Sequence, residues 1–317
     1  MIDLSYHEIV FTLEAQTTVH MGIQAGSQLR GTLWYALEKF ACTDPNAKGQ
    51  PTHSQHCPMC YLMELQQKSP RGQNPPRPFL IRPPLAVRAE DDRVFATGES
   101  FKVGMILLAS AQHLFPYLVK AMQGAGEQGV GYGRGRFSIR QIDTVHPLRD
   151  LMTLYAGGED ILMPSLPITQ EDVDTMASYL DPGQLRLRFI TPTIIKHQGK
   201  ILQRPNFTAV IARLLERLQA LTYHYSPQPA SPEQWQPFYL SLKQQANAVK
   251  PIQDNTRWVK ARGGSKRRNR VQDLSGFVGD VLLYGNLAPF HVPLVWGAGL
   301  QVGKNTVKGH GWYEIDS

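Results

Sequence analysis

The sequence predicts an α+β protein made of two similar halves. Three observations carry this. Apolar residues alternate along stretches in both halves, as in half-buried strands. Each half holds a long amphipathic helix. Each half also closes on a glycine cluster studded with basic residues, which leads into an aromatic-led strand.

In the first half, Ile9, Phe11 and Leu13 alternate across residues 7–15 and predict a strand. A helix follows over residues 27–42, where Leu29, Leu33, Leu37 and Phe40 recur at helical spacing and so form a buried face. Residues 43–78 are rich in Pro, Gly, Gln and His without periodicity, and read as an insertion. Phe79-Leu80-Ile81 and Val94-Phe95-Ala96 predict short strands, and the apolar run 101–109 a buried one. Residues 112–123 predict a helix with Leu114, Leu118 and Met122 inward and Pro116 confined to its first turn. The cluster Gly129-Val130-Gly131-Tyr132-Gly133-Arg134-Gly135-Arg136 then leads into a strand at 137–142.

The second half repeats this order. Leu185, Leu187 and Phe189 open a strand over 185–195, and Asn206 caps a helix over 207–225 with Val210, Leu214, Leu218 and Leu221 as its stripe. A basic segment, an apolar strand at 277–284, a closing loop over 295–311 and a strand carrying Trp312, Tyr313 and Ile315 complete it. Strand, helix, strands and closure, taken twice, is the order of a tandem of ferredoxin-like folds, with helices covering one face of an antiparallel sheet. The expected domains are 1–150, with the insertion 43–78, and 185–317, joined by a linker 151–184 that carries Gly157-Gly158 and a short helix after Thr169.

The formal net charge is +7, from 33 basic and 26 acidic residues. Arg257, Lys260, Arg262, Lys266, Arg267, Arg268 and Arg270 lie together with no acid among them, so one segment accounts for the whole excess. A polyanion-binding segment on a neutral scaffold is the physical picture, the alternative being a solubilising loop. The final loop, with Gly303, Lys304, Lys308, Gly309 and His310, reads as a backbone that holds an anion. No basic leader precedes an apolar run, and no apolar stretch reaches membrane-spanning length, so a cytoplasmic protein is expected. Three cysteines argue against a disulfide scaffold. Gly303-Lys304-Asn305 fails the P-loop pattern. Gly124-Ala125-Gly126-Glu127-Gln128-Gly129 matches a dinucleotide pattern but follows a helix, without the required strand.

Ser275-Gly276-Phe277-Val278-Gly279-Asp280-Val281 followed by Val302-Gly303-Lys304-Asn305-Thr306-Val307-Lys308-Gly309-His310-Gly311 is similar to the C-terminal signature of the CRISPR-associated precursor-crRNA endoribonucleases of the RAMP superfamily. Leu29-Arg30-Gly31, the run 77–84, Thr191-Pro192-Thr193, Arg257-Trp258 and the first glycine cluster resemble that family in the same order. The resemblance implies two RRM-type folds, binding of CRISPR repeat RNA (crRNA) and a metal-independent cut by 2′-OH attack on the adjacent phosphate. It leaves a non-catalytic RAMP subunit, holding crRNA among other effector subunits, as the alternative.

Histidine is the natural proton carrier near neutral pH, and relatives place theirs near the first helix. His20 precedes that helix, His53 and His56 follow it, and His197 stands in the second half; each is alternatively a solvated loop histidine. RNA contacts are expected from Arg30, Arg134, Arg136, the basic segment, Gly303, Lys304, Lys308 and Gly309, with Trp258 either stacking on a base or packing in the core. No cofactor is expected for catalysis. Cys57-Pro58-Met59-Cys60 has zinc-knuckle spacing, and Cys42 and His53 could complete a structural zinc site, in which case His53 is no catalyst.

Overall fold

The computed structural model describes residues 2–66, 74–158, 160–265 and 270–316. It divides into two units, one of Ser5–Ala86 with Asp91–Ile168, the other of Met1–Leu4, Val87–Glu90 and Thr169–Ser317. Both are ferredoxin-like. Among the described residues no helix is long and apolar enough to cross a membrane.

The first unit runs β1 (Tyr6–Ala15), β2 (Val19–Met21), α1 (Ala25–Ala41), α2 (Pro51–His56), α3 (Pro58–Glu64), β3 (Phe79–Arg82), β4 (Arg93–Phe95), β5 (Ser100–Leu108), α4 (Phe115–Gln128), β6 (Phe137–His146) and β7 (Arg149–Tyr155). Its main sheet has the order β3-β5-β1-β6-β7, all pairs antiparallel. Ile9, Phe11 and Leu13 on β1 are fully buried, as are Leu29, Leu33 and Leu37 on α1 and Leu118 and Met122 on α4. A small second sheet pairs β2 with β4.

Three details depart from the sequence reading. Residues 109–114 form a 3-10 turn, so α4 starts at Phe115 and continues past 123 to Gln128. It runs through Gly124 and Gly126 because close packing needs glycine there. A Cβ on Gly124 would stand 3.3 Å from Ala36 Cβ, and one on Gly126 would stand 2.1 Å from the Phe137 carbonyl oxygen. The dinucleotide-like pattern is therefore packing. The insertion is not featureless either: Pro51 and Pro58 each occupy a first turn and start the short α2 and α3. Finally, β7 pairs with β6 as an edge strand over residues that alternate only weakly.

The second unit runs α5 (Gln170–Ser178), β8 (Gln184–Thr193), β9 (Lys196–His197), β10 (Lys200–Ile201), α6 (Phe207–Tyr225), α7 (Pro232–Gln245), β11 (Lys250–Asp254), β12 (Arg257–Val259), β13 (Arg262–Ser265), β14 (Arg270–Asp273), β15 (Gly276–Tyr284), α8 (His291–Leu300) and β16 (Tyr313–Asp316). Its sheet has the order β11-β15-β8-β16, with β12 also on β15. The Asn206 side chain accepts from Ala209 N at 2.9 Å and caps α6 as expected. The closing loop, by contrast, begins at Gln301, since residues 295–300 belong to α8. That helix is buried on nearly all sides, so its apolar residues show no stripe, and Gly297 and Gly299 give it the composition of a loop. Gly297 leaves room for Leu214 of α6 and for Tyr313, whose hydroxyl donates to the Leu294 carbonyl at 2.7 Å.

Candidate active site and nucleic-acid interface

In the first unit the glycine cluster after α4 is wrapped onto β2. Tyr132 N donates to the His20 carbonyl at 2.7 Å, and a Cβ on Gly131 would lie 2.0 Å from that oxygen. Gly129, Gly131 and Gly133 have φ of +79°, +74° and +73°, conformations that favour glycine, and Arg134 adopts +52°. Here the glycines serve a close approach of the chain to itself and display exposed Arg134 and Arg136 on the surface.

His20 sits where these segments meet. Its Nε2 is 2.6 Å from Asp92 Oδ2, and its ring meets Tyr132 edge-on with centroids 5.0 Å apart. Gln24 Nε2 donates to the Tyr132 hydroxyl at 3.3 Å. The imidazole remains partly open to solvent. Asp92 and Tyr132 were not among the residues singled out from sequence. Asp92 is one of four consecutive charged residues, 90–93, and only the pairing of β2 with β4 brings it to His20.

The other histidines go elsewhere. His56 is exposed at the end of α2, and His197 is half-buried on β9. His53 joins the cysteines: ligand atoms of Cys42, His53, Cys57 and Cys60 all lie within 4.8 Å of one another. Burial pushes the Cys60 thiol up to about 12, and Cys57 and Cys42 nearby add to this. Three thiols and an imidazole brought this close could together hold a structural metal ion. The cluster ties α1 to α2 and α3. Arg30 serves the same junction, its Nη2 donating to the Met63 carbonyl at 3.2 Å, and Trp34 Nε1 donates to Glu64 at 2.9 Å.

In the second unit the closing loop and the basic hairpin β13–β14 are joined. Lys308 Nζ donates to Gln272 Oε1 at 2.6 Å, and Gln272 Nε2 donates to Asn305 Oδ1 at 3.3 Å. Gly303 and Gly309 have φ of +87° and +84°. A Cβ on Gly303 would stand 2.5 Å from the Ile194 carbonyl oxygen, and one on Gly311 would stand 1.8 Å from that of Val302. These glycines, too, let the chain fold on itself. His310 is buried, its Nδ1 lies 3.0 Å from the Pro192 carbonyl oxygen, and burial holds its proton affinity down to about 4. It therefore fastens the loop as a neutral ring.

Lys304, Lys260 and Arg262 are exposed, while Arg257 is paired with Glu90 at 2.8 Å. Trp258 is half-buried opposite Phe277. Lys266, Arg267 and Arg268 lie outside the described residues, and for Arg270 only the backbone is described. The result is two surfaces of basic and glycine-rich character, one in each unit, with a histidine–carboxylate pair in the first.

Residues 187–313 match the family model described as CRISPR-associated endoribonuclease Cas6, and residues 4–166 match one described as an N-terminal domain. No curated protein matches the chain. Among solved structures, a Cas6 product complex is 16% identical with a TM-score of 0.58, covering 98% of this chain and 99% of that one. Thermus thermophilus Cas6 is 14% identical with a TM-score of 0.54, covering 99% of both chains. A partial Cas6-RT-Cas1–Cas2 complex is 12% identical with a TM-score of 0.60, covering 100% of this chain but 47% of that one. At these identities the likeness is one of fold.

Proposed function

We propose that this chain is a CRISPR-associated endoribonuclease of the Cas6 kind, which binds CRISPR repeat RNA and cuts it to release guide RNAs. The observation that carries the reading is His20, partly exposed, held by the glycine cluster and hydrogen-bonded to a carboxylate. RNA supplies its own nucleophile in the 2′-OH, so the chemistry needs a base, stabilisation of charge at phosphorus and a proton for the departing 5′ oxygen. His20 is the base. Arg134 and Arg136, on the strand-linked loop beside it, supply positive charge. The products are a 2′,3′-cyclic phosphate and a 5′-hydroxyl, and a 2′-deoxy substitution at the cut site abolishes the reaction.

In the second unit Lys260, Arg262, Lys304 and Lys308 neutralise phosphates of the repeat, with Gly303 and Gly309 shaping the loop that presents the last two. Cys42, His53, Cys57 and Cys60 hold a structural zinc ion that orders the insertion, which takes His53 off the list of proton carriers. His56 is a surface residue of that insertion.

The test is cleavage of repeat RNA in EDTA by the wild type and by His20→Ala. Wild-type protein is expected to cleave all-ribose RNA and leave the 2′-deoxy RNA whole, and His20→Ala to lose at least about a hundredfold in rate, the scale of one general base. Tight binding of intact repeat RNA without cleavage would identify the non-catalytic alternative.

A further inference from the structure

The carboxylate beside His20 has a second consequence, because it decides which ring nitrogen faces the substrate. A neutral imidazole carries one N–H and one lone pair, and a carboxylate can only accept. With Nε2 at 2.6 Å from Asp92 Oδ2, the hydrogen is on Nε2 and the lone pair on Nδ1. We propose that Asp92 is the positioning residue of His20 and that Nδ1 is the atom that takes the proton from the RNA 2′-OH. This rests on the reading of His20 as the base.

The geometry around the pair is built to hold it. Asp92 directly precedes β4, whose Val94 is the register partner of His20. The next residue, Arg93, is buried, its Nε donates to the Pro84 carbonyl at 3.2 Å, and its Nη1 donates to the Asp91 carbonyl at 2.5 Å. That anchors the backbone on both sides of Asp92. On the other side, His20 is held through its carbonyl by Tyr132 N, and the Tyr132 ring closes one edge of the imidazole. Tyr132 itself packs on Gly22, where a Cβ would come 2.8 Å from its hydroxyl oxygen. The backbone contact, the Tyr132 ring and the carboxylate at Nε2 together restrain the imidazole and leave Nδ1 as the nitrogen without a carboxylate partner.

The 2′-OH proton passes to Nδ1 as the 2′ oxygen bonds to phosphorus. The bond from phosphorus to the 5′ oxygen breaks, and that oxygen takes a proton from water. His20, now an imidazolium facing the Asp92 carboxylate, returns its extra proton to solvent. Asp92 stabilises the imidazolium by charge and keeps Nε2–H in place throughout.

The experiment compares Asp92→Asn with Asp92→Ala by single-turnover cleavage, RNA affinity and the 15N NMR tautomer of His20. An asparagine amide can donate to Nε2, which moves the ring hydrogen to Nδ1 and removes the base from the side facing RNA. Alanine imposes no tautomer. The expected result is about a tenfold loss for Asp92→Ala, a larger loss for Asp92→Asn, and RNA affinity within about twofold of wild type for both. Wild type should show the Nε2–H form. A merely structural role for Asp92 predicts the reverse order, since asparagine keeps the shape. Cleavage by Asp92→Asn at or above the rate of Asp92→Ala overturns the proposal, as does an Nδ1–H tautomer in the wild type. If His20→Ala still cleaves, it is the underlying reading of His20 that fails.

Discussion

Acidification should destabilise the second unit through His310. The ring is buried, its Nδ1–H donates to the Pro192 carbonyl at 3.0 Å, and burial, helped by the charge of Lys308, lowers its pKa from 6.5 to about 4. In the unfolded chain the same imidazole takes a proton near 6.5. Between these values the unfolded chain binds more protons, so stability is fully present above pH 6.5 and is lost as pH falls towards 4. At ~1.4 kcal/mol per pH unit, the gap between 6.5 and about 4 comes to about 3.5 kcal/mol. That is a large share of the roughly 5–15 kcal/mol that holds a typical domain together. The assay is urea unfolding followed by tryptophan fluorescence from pH 7.5 to 4.5; Trp235, Trp258, Trp296 and Trp312 all lie in this unit. His310→Gln keeps a donor for the Pro192 carbonyl and cannot titrate in this range. The variant should therefore lose the part of the pH slope that His310 supplies, while His224, whose pKa burial also lowers, keeps its share in this unit and the first unit keeps the slope due to His7, which burial lowers to about 4. An unchanged slope in His310→Gln between pH 6.5 and 4 would refute the reasoning.

Two further outcomes follow from the side-chain clusters. Protein purified without chelator should carry about one zinc per chain, and Cys60→Ser should lower both metal content and melting temperature; full stability in metal-free protein would remove the zinc from the insertion. Replacing both Lys260 and Arg262 by Ala should weaken RNA binding and reduce the slope of log affinity against log salt by about 1.5, which a salt titration measures directly. An unaltered slope would mean that these two side chains meet no phosphate.

Much of the fold was legible because local patterns and tertiary packing agree. The stripe of α6 and the alternation on β1 and β8 are the faces these elements bury, as is the stripe of α1 except for Phe40, which stands exposed near the helix end, and Asn206 caps where a cap was expected. The failures share a cause. Helix α8 is apolar all round, so burial erased the period that would have announced it, whereas α7 is polar almost all round and buries only Trp235 and Leu242. The glycines of the closing loop suggest a backbone that faces an anion, yet at 303 and 311 the nearest neighbour of a Cβ would be the protein's own carbonyl oxygen.

By itself, then, the sequence determined the duplicated strand–helix order, the concentration of charge between Arg257 and Arg270, and the zinc-like set of cysteines and histidine. These are written in residue type and short spacing, and they act locally. Only the tertiary structure decided which histidine meets a carboxylate. His20 and Asp92 are 72 residues apart and become neighbours through the register of β2 on β4, a long-range pairing that no local period encodes.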